Sequence, residues 1–141
     1  MNYQDIYSVF VTRHLKATKD FYVTWFNFQI YFESSFFVLL AGIAGDKSFS
    51  VGFIDEVHPS SPPDISAMDG KSAVFLTLQV EDAQVEYDKL KNGGVEIYYH
   101  LKDEDWGQRR FGIIDPNGMY VDIVQQINPK EGFWDTYMQG Y

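Results

Sequence analysis

The residue types that carry most enzyme chemistry are sparse in this chain, which has three histidines and no cysteine. Without cysteine it has no thiol nucleophile, no disulfide and no thiolate metal site. His14, His58 and His100 fall at no spacing that is typical of metal ligands. We therefore expect structural roles for them, with His14 capping a helix, His58 lying in a proline-rich loop and His100 lying on a strand.

Trp106, in the stretch WGQRR, is a candidate contact for a flat ligand. An indole ring favours offset stacking and contact with cations. The structural alternative is that Trp106 and Gly107 shape the turn into the next strand and cover the edge of the core. The two roles are compatible, and we keep Trp106 among the candidate ligand contacts.

The aromatic content is high, with 12 Phe, 10 Tyr and 3 Trp among 141 residues. The length is that of one domain. A core of this size usually requires fewer rings, so the composition leaves rings available to line a cavity.

The charge balance excludes two classes of partner. Eleven Lys and Arg against 20 Asp and Glu give a net charge of −9. A nucleic-acid backbone requires a basic face, and the pair Arg109-Arg110 is the largest basic cluster in the sequence. An anionic membrane surface would also repel the chain. We predict neither nucleic acid nor a membrane as a partner.

The start of the chain, MNYQDIYSVF, has no basic segment followed by an apolar one, so it is unlike a secretory signal. The longest mostly apolar stretch, from Phe36 to Ala44, is too short to cross a bilayer. The expected location is the cytoplasm.

Hydrophobic patterning predicts the same order of elements twice. In the first half, a strand at Tyr7–Thr12 precedes a helix at Lys16–Phe26, where apolar residues fall at helical spacing. Three further strands are predicted at Gln29–Phe32, Phe36–Ala44 and Ser48–Ile54.

The second half is predicted to begin with a strand at Ser72–Val80, followed by a helix that Asp82 caps and Gly93-Gly94 ends. Three strands at Val95–Leu101, Arg109–Ile114 and Tyr120–Gln126 complete it, with Asp115-Pro116-Asn117-Gly118 as a tight turn. A shift of 68 residues places Tyr7 on Phe75 and repeats the order βαβββ.

Between the halves, residues 56–71 carry three prolines, three serines and a glycine. Proline removes a backbone donor and extends the preceding residue, so this segment is predicted to be a linker or a loop across the mouth of a site.

Two stretches give the chain a resemblance to a known family. They are VFVTRHLKATKDFYVTWFNF, residues 9–28, and LKDEDWGQRRFGIIDPNGMYVDIVQ, residues 101–125. With the repeat, they resemble the vicinal oxygen chelate superfamily, which includes glyoxalase I, bleomycin-resistance proteins and extradiol dioxygenases. The resemblance covers residues 5 to about 128.

The resemblance implies an α+β fold of two βαβββ modules whose sheets curl around a cleft, and it implies a homodimer. Module one would span about 5–55 and module two about 72–127, followed by an aromatic tail at 128–141. In metal-dependent relatives, the first and last strands of each module supply His, Glu or Gln ligands. This chain has Tyr7 and Phe75 at the first-strand positions and no ligating side chain at 51–53, so we predict no metal and no cofactor.

Asp122 lies where the family often has its last ligand, a glutamate. It could act as a general base or bind a cationic group, with its pKa raised by aromatic walls. The structural alternative is an ion pair with Arg109 or Arg110 on the neighbouring strand.

The preferred hypothesis is a metal-free member that binds a small apolar or aromatic molecule, neutral or cationic, in a cleft lined by aromatic rings. Its candidate cleft residues are Tyr7, Phe75, Trp106, Arg109 and Asp122. The first alternative is a glyoxalase-like lyase or isomerase that uses Asp122 or a metal site not recognised in the sequence. The second is a protein-interaction module that uses the tail, whose rings could cover the cleft or pack on the body or a dimer partner.

Overall fold

The computed structural model describes residues 1–58, 62, 66–68 and 74–138. The chain forms two compact units, of which the first holds the described residues before 73 together with Asp115–Gly118, and the second holds the others. Among the described residues, each unit contains one α-helix and a four-stranded mixed sheet. The predicted α+β class and its two βαβββ modules are confirmed.

The first sheet has the strand order β1-β4-β3-β2, with β1 parallel to β4 and the other pairs antiparallel. Its elements are β1 (Ser8–Thr12), α1 (Leu15–Phe26), β2 (Gln29–Glu33), β3 (Phe37–Ala44) and β4 (Lys47–Asp55). Tyr22 of α1 is fully buried and stacks on Phe53 of β4, with 5.3 Å between ring centroids. The predicted helix thus places a fully buried ring against the first sheet.

The start of α1 differs from the prediction. His14 occupies the N-cap position, but its side chain makes no capping hydrogen bond. Its backbone N–H donates instead to Oγ1 of Thr12, over 2.8 Å. The predicted capping role of His14 is wrong, because the hydroxyl of Thr12 takes part in the turn in its place.

The turn Asp115–Gly118 belongs to the first unit, where it forms a buried polar cluster with β1 and α1. Tyr22 donates its hydroxyl hydrogen to Oδ2 of Asp115, over 2.9 Å. Asn117 donates to Oγ1 of Thr18, over 2.9 Å, and accepts from Thr12. The predicted tight turn forms, with the N–H of Gly118 donating to the carbonyl of Asp115.

The second sheet has the order β5-β8-β7-β6, with β5 parallel to β8. Its elements are β5 (Leu76–Gln79), α2 (Ala83–Asn92), β6 (Ile97–Glu104), β7 (Gln108–Ile114) and β8 (Tyr120–Gln126). Asp82 caps α2 as predicted, because its carboxylate accepts hydrogen bonds from the backbones of Gln84 and Val85. The strand predicted at Ser72–Val80 is shorter than expected in its described part, and residues 72 and 73 lie outside the described residues.

The predicted linker at 56–71 is described only in part. His58 stacks on Phe36, with 3.6 Å between ring centroids. Further along, Ala67 is buried in a small cluster with Val11 and Ile54, and the N–H of Met68 donates to the carbonyl of Val11, over 3.0 Å. The described part of this segment thus packs on the first sheet.

The described part of the tail packs on its own unit, as one of the alternatives expected. It contains a 3-10 helix, Phe133–Asp135, and the indole N–H of Trp134 donates to the carbonyl of Trp106, over 3.0 Å. Tyr141, the last aromatic residue of the tail, lies outside the described residues. None of the helices among the described residues is long and apolar enough to cross a membrane.

Candidate functional site

The candidate site lies on the face of the second sheet that points away from α2. Strand alternation determines this face, since Phe111 of β7 packs against Tyr87 of α2 and Gln125 of β8 accepts a hydrogen bond from the backbone of Ala83. The residues that alternate with Phe111 along β7 and with Gln125 along β8 therefore point to the other side of the sheet. We call this side the Asp122 face and define it by Phe75, Tyr98, Tyr99, Glu104, Arg110, Gly112, Tyr120 and Asp122.

Asp122 is almost completely buried, with 3% of its surface exposed. One carboxylate oxygen, Oδ2, lies 3.5 Å from Nη1 of Arg110, and the other accepts a hydrogen bond of 3.3 Å from the hydroxyl of Tyr120. Burial raises the pKa of the Asp122 carboxyl, because its charged form loses water and these two long contacts compensate only in part.

Arg110 is held more closely by a second buried carboxylate. Its Nε donates to Oε1 of Glu104 over 3.2 Å, and its guanidinium lies 4.8 Å from the ring centre of Trp106 and 5.3 Å from that of Tyr99. Burial works against ionisation of Glu104, but the hydrogen bonds from Tyr99 and Arg110 outweigh it and hold the pKa of Glu104 below its ordinary value. One arginine thus serves two buried carboxylates.

Tyr120 lies between two other rings on this face. Its ring meets Phe75 at 6.1 Å and 78° and Tyr98 at 5.9 Å and 76°, both edge to face. Burial, with the nearby charge of Asp122, raises the pKa of the Tyr120 phenol to about 12. Its hydroxyl therefore stays protonated at neutral pH and donates to the carboxylate.

The site gathers three of the predicted residues and separates two others. The second unit contains Phe75, Trp106 and Asp122. Phe75 and Asp122 lie on the Asp122 face, and Trp106 lies beside it, against Arg110. Arg109 points the other way and pairs with Asp103, with 2.6 Å between Nε and Oδ1. Tyr7 belongs to the first unit, directly before β1, and is 48% exposed.

Several residues of the face did not emerge from the sequence. A register shift in β6 on either side of Tyr99 brings both Tyr98 and Tyr99 into contact with this face, although simple alternation would place them on opposite sides. Glu104 and Tyr120 were not recognised at all. The sequence left Arg110 as an alternative to Arg109. Gly112 pairs with Asp122, and Arg110 lies two residues before Gly112 on the same face of β7, so it is the diagonal neighbour of Asp122.

A metal of the kind used by metal-dependent relatives does not fit the residues present. Tyr7 and Phe75, at the positions expected for the first-strand ligands, lie directly before β1 and β5, and Val51 and Phe53 flank Gly52 on the last strand of the first sheet. Asp122 is already engaged by Arg110 and Tyr120. Among the described residues, no group of three or more His, Asp or Glu side chains could hold a metal ion.

His100 lies on the opposite side of the sheet from the candidate site. Its Nδ1 lies 2.8 Å from the hydroxyl of Tyr87 of α2, and the two rings meet edge to face. This places His100 with the helix and away from Asp122.

Comparison with solved structures shows the fold in other proteins. A glyoxalase/bleomycin resistance protein/dioxygenase from Nocardioides is 18% identical, with a TM-score of 0.73, over 94% of this chain and 90% of that one. A virulence protein from Salmonella typhimurium is 16% identical, with a TM-score of 0.71, over 90% of this chain and 100% of that one. TnmS3, an antibiotic-binding protein from Streptomyces sp. CB03234, is 22% identical, with a TM-score of 0.63, over 89% and 98%.

No curated protein matches the chain in sequence. A family model does: the one described as the Glyoxalase/Bleomycin resistance protein/Dioxygenase superfamily matches residues 7–123, which include the first sheet, the second sheet as far as the middle of β8, and the turn Asp115–Gly118. The chain therefore belongs to the glyoxalase/bleomycin resistance protein/dioxygenase superfamily.

Proposed function

We propose that the protein binds a small apolar or aromatic molecule, neutral or cationic, at the Asp122 face, and that binding requires no metal. The observation that carries the proposal is the trio of half-buried Arg110 with buried Glu104 and Asp122, which lies beside the aromatic rings of Tyr99, Trp106 and Tyr120. Small-molecule sites are typically apolar with a few fixed polar groups, and this face combines both.

The charge of the protein supports a preference for neutral and cationic ligands. The net charge of −9 disfavours an anion, and the trio contributes two negative charges and one positive charge. A binding role also has a precedent in the fold, since TnmS3 is described as an antibiotic-binding protein. We further propose that the protein acts as a homodimer in the cytoplasm.

Native mass spectrometry of protein purified without chelator tests the metal and the subunit count together. The expected spectrum is a metal-free dimer, with or without a co-purified organic molecule. A stoichiometric divalent metal on each subunit would contradict the proposal and transfer the search for ligands to residues outside this face.

A panel of aromatic molecules of different charge tests the site itself. Neutral and cationic members are expected to raise the melting temperature of the wild type, and anionic members are not. The shift with cationic members should fall in Asp122→Asn and persist in Asp88→Asn, which removes the same charge from an exposed position on α2. A panel without any binder would refute the proposed function.

A second candidate is a lyase or isomerase that uses Asp122 as its proton-transfer group. It is favoured by the raised pKa of Asp122 and by the adjacent Tyr120, whose phenol is a proton donor at neutral pH. Under this hypothesis Asp122→Asn would abolish turnover of a substrate that it still binds. Equal turnover by the variant would exclude it.

A further inference from the structure

Three aromatic rings on the Asp122 face are joined by edge-to-face contacts, in which Tyr120 meets both Phe75 and Tyr98. Phe75 and Tyr98 stand nearly perpendicular to Tyr120, at 78° and 76°, and they lie on opposite sides of it in the strand order. Phe75 is 57% exposed and Tyr98 is 54% exposed, whereas Tyr120 is only partly exposed. Tyr120 therefore lies between two more exposed rings that stand nearly perpendicular to it.

Gly112 makes this arrangement possible. It lies on β7, opposite Asp122, between the strands that carry Tyr120 and Tyr98. A Cβ at position 112 would overlap the hydroxyl and ring carbons of Tyr120. Because glycine has no side chain, the Tyr120 ring can lie across β7 and reach Tyr98.

The charged groups of the Asp122 face do not balance. Arg110 carries one positive charge, and Glu104 and Asp122 carry two negative charges, with Glu104 in the closer contact. Lys102 also approaches Glu104, at 3.8 Å, but its side chain is 63% exposed, so solvent screens its charge. Of the two carboxylates, Asp122 is held less closely by Arg110, at 3.5 Å against 3.2 Å for Glu104, and it also contacts Tyr120.

We infer that Phe75, Tyr98 and Tyr120 form an aromatic cage for an alkylammonium group, with Asp122 supplying the opposite charge. The inference rests on the proposed function and narrows its ligand to a class of cation. A cation within about 6 Å of a ring centre is attracted by the ring quadrupole, and quaternary ammonium groups are bound by such cages in other proteins. The Tyr120 ring centre lies 6.1 Å from that of Phe75 and 5.9 Å from that of Tyr98, so a cation over the Tyr120 ring can also approach the two neighbouring rings.

The cage accounts for a preference for alkylated ammonium over a primary amine or a guanidinium. Phe75 provides no hydrogen-bond acceptor, the hydroxyl of Tyr120 donates to Oδ1 of Asp122, and Oδ2 of Asp122 faces Arg110. An alkylammonium group needs few acceptors and exposes apolar methyl groups, so the rings can replace its water at low cost.

Choline and 3,3-dimethylbutanol are the probes for a test, because they have nearly the same shape and differ in charge. In a ligand-observed NMR titration of the full chain, choline is expected to bind at least about tenfold more tightly than the alcohol. Tyr98→Leu should weaken choline binding roughly tenfold, and Tyr98→Phe, which keeps the ring, should leave it within about twofold of the wild type. Tyr31→Leu is the matched control, since Tyr31 is a half-exposed tyrosine on β2 of the first unit.

The possible results separate this inference from the proposed function. If the two probes bind equally, or if Tyr98→Leu binds choline as tightly as the wild type, the cage is refuted and the proposed function stands. If neither probe binds but neutral aromatic members of the panel do, the cage is again refuted and the proposed function stands. If neither the probes nor the panel bind, the proposed function itself is refuted.

Discussion

At the scale of single residues, Asp122 is a carboxylate whose burial is incompletely compensated. Its raised folded-state pKa means that its ionised form is disfavoured in the folded protein relative to the unfolded chain. This cost is absent below the unfolded pKa, near 3.9, and appears as the pH rises through the folded pKa. Stability from this group is therefore lost toward neutral pH.

Asp122→Asn removes the charge and keeps the shape, so the variant should escape this loss. We expect its free energy of unfolding, relative to that of the wild type, to increase from pH 4 to pH 8. Urea unfolding at several pH values measures this difference. Asp103→Asn is a control of opposite sign, because the hydrogen bond from Arg109 lowers the pKa of Asp103 and the stability that this provides is lost as the pH falls. A pH-independent effect of Asp122→Asn would contradict the assignment.

The sequence could indicate Asp122 and could not decide between its two possible arginine partners. Arg109 and Arg110 are neighbours on one strand and point to opposite faces, so the choice depends on which face the helix covers and on the register of β7 with β8. Tyr98 and Tyr99 were hidden for a related reason, since the register shifts in β6 interrupt the period of two on which the facing was judged.

At the scale of elements, the order and most boundaries of the strands and helices followed from local patterns. The cap at Asp82 and the turn at Asp115–Gly118 form from residues whose side chains favour them. The sequence could not predict which residues that turn packs against, because its buried contacts with Thr12, Thr18 and Tyr22 join positions about a hundred residues apart in the chain.

Tyr22→Phe tests how firmly this turn is held against α1. The variant keeps the ring that stacks on Phe53 and removes a buried hydrogen bond to the carboxylate of Asp115. We expect a loss of about 1.5–3 kcal/mol in the free energy of unfolding, because the bond involves a charged acceptor in a buried site. Urea unfolding at pH 7 measures it. Tyr31→Phe, which removes an exposed hydroxyl contact with Ser48, should cost much less, and equal losses would argue against a special role for the buried bond.

At the scale of the whole molecule, the aromatic tail either packs on its own chain or binds another chain. Its described rings form one cluster, in which Phe133 lies 5.2 Å from Trp134 and 5.2 Å from Tyr137. The same segment bonds to the turn between β6 and β7, where the N–H of Lys130 donates to the carbonyl of Asp105. In that turn, Gly107 has a φ of 107° and packs directly against Pro129 of the tail. These contacts lie within one unit and close on its own turn.

Deletion of residues 128–141 should therefore destabilise the protein and leave its subunit count unchanged. We expect a loss of at least about 1 kcal/mol in the free energy of unfolding, since the deletion removes several hydrogen bonds and the packing on Trp106. Trp134→Phe keeps most of the ring surface and removes only the bond to the carbonyl of Trp106, so its loss should be smaller, about 0.5–1.5 kcal/mol. Native mass spectrometry gives the subunit count and urea unfolding the stability. A truncated protein with a lower subunit count and unaltered unfolding of each chain would assign the tail to association between chains instead.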